Sequence, residues 1–96
     1  TIDDVVLTLG GDTAPSSDDG FDRGVEFRYF KATDSAPSGE ALIGFMGWDE
    51  NTNKFTMLTE ASVSSGDYSG TAGTLVLGVL EATTITGATI NGGIYS

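Results

Sequence analysis

Residues 24–31, GVEFRYFK, alternate without a break: Val25, Phe27 and Tyr29 fall on one side, and Glu26 and Arg28 on the other. A period of two is the period of a β-strand, whereas an amphipathic helix needs apolar residues three and four apart. No stretch of the chain sustains that longer period. The alternation returns in ALIGFMGW, residues 41–48, where Ile43 and Phe45 share one face and Leu42, Met46 and Trp48 the other. It returns again in KFTML, residues 54–58, and in VVLTL, residues 5–9. The most apolar run, TLVLGVLEA, is rich in valine and leucine with Gly78 at its middle. A helix is open to it, but the glycine and the Val-Leu alternation favour a buried strand.

Between 48 and 54 the chain reads DENTN. Asp and Asn hydrogen-bond their own backbone and tolerate positive φ, so this is a hairpin loop joining the flanking strands. The same residues nearly satisfy a calcium loop: Asp49, Asn51, Asn53 and Glu60 stand at its positions one, three, five and twelve. Lys54, however, occupies the position that needs glycine, and Phe55 and Met57 read as core-facing strand residues. The hairpin is the better reading. GGDTAPSSDDG and TEASVSSGDYSGTAG read as loops by composition. The expected architecture is all-β: a small antiparallel sandwich or barrel-like domain over residues 1–82, with a β-hairpin at 41–58. An Ile/Gly/Thr-rich tail follows over 83–96. There Ile85, Ile90 and Ile94 recur every four to five residues among small ones. That spacing suits either a β-helical or trimeric fibre-like coil, in which these isoleucines self-associate, or an ordinary strand with a glycine turn.

The chain has no cysteine and no histidine. This removes disulfides, thiolate zinc sites, imidazole ligation and Ser–His or Cys–His catalysis. Fourteen acidic residues against four basic give a net charge of −10. Such a surface repels phosphate backbones and anionic membranes, so neither nucleic acid nor membrane is an expected partner. No apolar run approaches the ~20 residues that span a bilayer.

Asp18, Asp19 and Asp22 would be the ligands of a divalent cation such as Ca2+, the one cofactor the residues leave open. The competing reading is a solvated acidic loop in which Arg23 pairs locally. Trp48 and Tyr29 are the candidates for stacking on a sugar, though aromatics in a small β domain are more often core or interface. Glu26, Glu40, Asp49 and Glu60 supply carboxylates for a glycosidase pair, but no spacing brings two of them to a defined separation.

Three blocks, LGGDTAPSSDDGFDRGVEFRYF (9–30), IGFMGWDENTNKFTML (43–58) and YSGTAGTL (68–75), resemble a module of virion structural and tail-fibre proteins of marine, cyanophage-like tailed phages. In that family a strand containing DRG, EF and an arginine precedes an aromatic-rich GFFG hairpin with a KFTF return. The resemblance covers residues 5 to 75. Phe21 and Met46 depart from it, as does the polar segment TMLTEASVSSGDYSG, and the tail lies beyond it. The resemblance implies a non-enzymatic virion component of a fibre, appendage or surface decoration, located in the virion or outside the cell. It would assemble as a homo-oligomer (trimer or polymer) or with other virion proteins. The alternative is a host-recognition module that binds a surface glycan, with calcium assisting.

Overall fold

The computed structural model describes residues 3–87. Its strands are β1 (Arg23–Lys31), β2 (Glu40–Asp49), β3 (Lys54–Ser64) and β4 (Asp67–Ala72), forming one antiparallel meander in the order β1-β2-β3-β4. The all-β expectation holds and the sheet is open. Among the described residues no helix is long and apolar enough to cross a membrane.

The alternating residues set the two faces. Val25 lies opposite Met46 and Met46 opposite Met57, while Trp48 lies opposite Phe55. These side chains, with Phe27, make one apolar face. The other face carries Glu26 opposite Phe45 and Phe45 opposite Leu58. Gly24 and Gly47 lie opposite each other on this second face, and there the strands approach very closely. A Cβ on Gly47 would fall 2.6 Å from the Gly24 Cα and against the Arg23 carbonyl oxygen. Only glycine fits that crossing.

The β2–β3 turn has four residues, Glu50–Asn53, between the paired Asp49 and Lys54. Asn53 takes a left-handed φ of 56°, and its N–H donates to the Asp49 carbonyl at 2.8 Å. Asn51 N–H donates to Asp49 Oδ1 at 2.9 Å, the side-chain turn that favours Asp at this place. The β3–β4 turn is a two-residue one, with Ser65 and Gly66 both at positive φ between paired Ser64 and Asp67. That matches the twist of the flanking strands.

β3 is longer than the sequence pattern foretells because it bends. Between Thr59 and Ser62 the register with β4 shifts, and Glu60 sits at φ 49°. This is a β-bulge, which adds a residue and sharpens the coil of the sheet. In a flat sheet Tyr68 would stand two strands across and four residues along from Phe45, about 16 Å away. Their rings instead stack with centroids 4.3 Å apart. The β3–β4 hairpin therefore folds back over the second face and covers Phe45, which is 3% exposed and is the one buried apolar side chain among the described residues. Tyr29 reaches across β2 to accept the Glu60 N–H at 2.8 Å, over Gly44.

Two expected strands are absent. Residues 5–9 and 74–82 have no regular secondary structure, and Val5, Val6, Val76 and Val79 are exposed. A strand needs a neighbour for its N–H and C=O groups, and β-propensity alone does not supply one. Gly10 and Gly11, at φ 97° and 104°, take the chain out of the extended conformation where it passes the Arg23 side chain. Past β4 the last ladder-like bond is Gly73 N–H to the Met57 carbonyl. These four strands make one open sheet and not a closed barrel, and the fibre-like tail expected over 83–96 lies largely outside the described residues.

Candidate functional site

The fold-back of β3–β4 brings three sequence-distant carboxylates together. Asp22 precedes β1, Asp49 ends β2 and Asp67 opens β4, and one oxygen of each lies within 4.8 Å of the others. Asp22 holds the arrangement. Its Oδ1 accepts the Glu50 N–H at 2.9 Å and its Oδ2 accepts the Tyr68 N–H at 2.8 Å. Its own N–H donates to the Gly66 carbonyl at 2.9 Å. One residue thus clasps both hairpin turns to the start of β1. Asn51 sits between the other two, donating its Nδ2 to Asp67 Oδ1 at 2.9 Å and its N–H to Asp49. Asp22, Asp49 and Asp67, half-buried and all oxygen donors, are the residues that could hold a hard divalent cation.

The sequence-based trio is not gathered. Asp19 is engaged by Arg23, with Nη2 to Oδ2 at 2.5 Å and Nη1 to Oδ1 at 3.3 Å. That guanidinium holds the Asp19 carboxyl below its ordinary value, with the Phe21 N–H adding to the effect. Asp18 accepts the Gly20 N–H at 2.8 Å. Its hydrogen bond with Glu50 lowers the Asp18 pKa and raises that of Glu50, to which burial and the charges of Asp18, Asp19 and Asp22 add. Glu50 takes up a proton first as the pH falls. Only Asp22 of the three belongs to the cluster. The calcium loop of residues 49–60 is not formed either, since Lys54 onward is strand.

Trp48 and Tyr29 do not make one platform. They pair with Arg23 and Leu42 respectively, six residues apart along β1, or about 20 Å. Trp48 meets Phe55 edge to face instead, centroids 5.1 Å apart at 74°, and Tyr29 is tied to the bulge. Glu26 accepts the Tyr68 hydroxyl at 2.8 Å and Arg28 Nε at 3.3 Å, which lower its pKa in that order. Glu60 lies 3.9 Å from Lys31. Ile85 is exposed, and Ile90 and Ile94 lie outside the described residues.

The larger feature is the apolar face. A groove of about 720 Å³ runs over it, walled by Val25, Met46, Met57 and Trp48 with Leu9 and Leu75 at its margins. Arg23 is the only charged residue on its lining, and no carboxylate reaches it. Phe55 also lines it and is 86% exposed. Sequence reading faces Phe55 and Met57 to a core; among the described residues no second layer covers the groove they line. Comparison of the chain with protein-family models, with curated proteins and with solved structures finds no match to any of them.

Proposed function

We propose that the protein is a non-enzymatic structural module that self-associates, and that its setting is the appendage or surface of a phage particle. The observation that carries the first part is the uncovered apolar face. A sheet with one apolar face buries it against another layer. Here the β3–β4 hairpin covers the Phe45 face, and among the described residues no second layer covers the opposite face. The chain exposes 8117 Å² in all, against about 5,200 Å² for a compact chain of this mass. Such a surface favours assembly. The phage setting is supported by the resemblance of the three sequence blocks, and the acidic, cysteine-free composition accords with it.

Light scattering or native mass spectrometry at micromolar concentration tests the self-association. A stable monomer at all concentrations overturns it. Immunogold labelling of purified particles tests the setting, and unlabelled particles overturn that part alone. A glycan array run with and without chelator addresses the carbohydrate alternative. Specific binding that is lost when Trp48 is replaced in a still-folded chain would favour that alternative over a purely mechanical role.

A further inference from the structure

We propose that the apolar groove is the self-association surface, and that its occupant is the same groove of a second copy, related by a two-fold axis. The inference rests on the self-association reading above and specifies where and how it occurs. Leu9, Val25, Met46, Phe55, Met57 and Leu75 are between 38% and 86% exposed. With roughly 150–200 Å² per side chain, they and Phe27 present about 650 Å² of apolar surface. The largest apolar patch of an ordinary monomer is about 300–600 Å². A standard interface buries about 800 Å² from each partner, and this apolar surface makes up most of that.

The shape is self-complementary. Each copy carries a projecting ring, Phe55, beside a recess walled by Val25, Met46 and Met57. A two-fold axis places each ring in the other copy's recess, which is the isologous geometry of most dimers. Charge permits it as well. Each copy carries −10, yet none of its 14 carboxylates lines the groove. Two copies therefore meet on the one described apolar surface where acid does not face acid. The residual long-range repulsion is screened by salt, so association strengthens from low to physiological ionic strength. The product is two four-stranded sheets face to face, about 10 Å apart. The sandwich that one copy does not form is completed by two.

Because the chain has no cysteine, a single Met57→Cys substitution reports the geometry directly. In the two-fold arrangement the two copies of this position lie on facing sheets close to the axis, so a bismaleimide with a span of about 10 Å joins them into a covalent dimer. Phe55→Asp weakens association about thirtyfold or more, whereas Val5→Asp, at a fully exposed position outside the groove, leaves it unchanged. A monomeric wild-type chain overturns both this inference and the self-association reading. A wild-type oligomer that persists in a folded Phe55→Asp variant overturns this inference alone. If Phe55→Asp fails to fold, the cysteine variant decides: an oligomer that gives no Met57→Cys cross-link is not built on this face.

Discussion

Replacing Asp22 with alanine removes the acceptor of two backbone N–H groups, one in the β2–β3 turn and one at the start of β4. Each bond to a charged acceptor contributes about 1.5–3 kcal/mol when fully buried. Asp22 is half-buried, so about 1–1.5 kcal/mol each is the fitting value, or about 2–3 kcal/mol together. Against this, the substitution relieves repulsion with Asp49 and Asp67, whose nearest oxygens lie within 4.8 Å. In water each such pair costs about 0.9 kcal/mol before screening, so the relief is about 1–2 kcal/mol at low salt. The net loss is then about 1 kcal/mol in 10 mM salt and about 2 kcal/mol in 0.5 M salt, where screening removes the relief but leaves the lost bonds. Urea denaturation in EDTA, at equal protein concentration, measures both values. The sign of the salt dependence is the sharp point. A variant no less stable than wild type at high salt would show that Asp22 is not the clasp, and that its place among the acids is incidental.

Gly47→Ala should destabilise by about 1–3 kcal/mol, because its Cβ meets the β1 backbone at Gly24 and Arg23 rather than a movable side chain; an unchanged denaturation midpoint would contradict the close crossing. Ser65→Asn should stabilise by a few tenths of a kcal/mol, since Ser65 holds a φ of 50° before Gly66 and Asn-Gly is the pair best suited to that turn. A thermal shift downward would show a different turn. Tyr68→Phe should flatten the acid limb of stability. The Tyr68 hydroxyl, chiefly, and Arg28 depress the Glu26 pKa, so its contribution is present above the unfolded carboxylate value near 4.5 and is lost as pH falls through the lower folded value. Wild type and variant should therefore converge towards pH 3 and differ at pH 6; a constant difference across that range would refute the linkage.

The central hairpin is legible from the sequence because its side chains carry the pattern. The alternation in ALIGFMGW and KFTML sets the faces, and DENTN announces the turn. The outer hairpin is not, because TEASVSSGDYSGTA holds few apolar residues and composition alone reads as loop. Its strands persist through their ladder, the bulge at Glu60 and the docking of Tyr68 on Phe45, none of which leaves a periodic mark. The Ser65–Gly66 dipeptide is the signal that could have found it. The reverse error has the reverse cause: 5–9 and 74–82 have strand composition and no neighbour to pair with. The acid cluster was half visible, through Asp22. Asp49 and Asp67 join it only because β3 coils back, and a local window cannot see a bend that brings residues 22, 49 and 67 to one place.

The clasp at Asp22 also orders events in time. Its two partners lie 28 and 46 residues further along the chain, while the β1–β2 and β2–β3 pairings are local enough to form by themselves. Closing the longer loops costs chain entropy before any bond rewards it, so these contacts come late. During synthesis, Phe45 stays open to water until Tyr68 has emerged, and the early species is a bare three-stranded ribbon with both faces wet. Folding speed should then depend on the last hairpin more than on the first, and a chain cut short before Tyr68 would be the form most prone to clump.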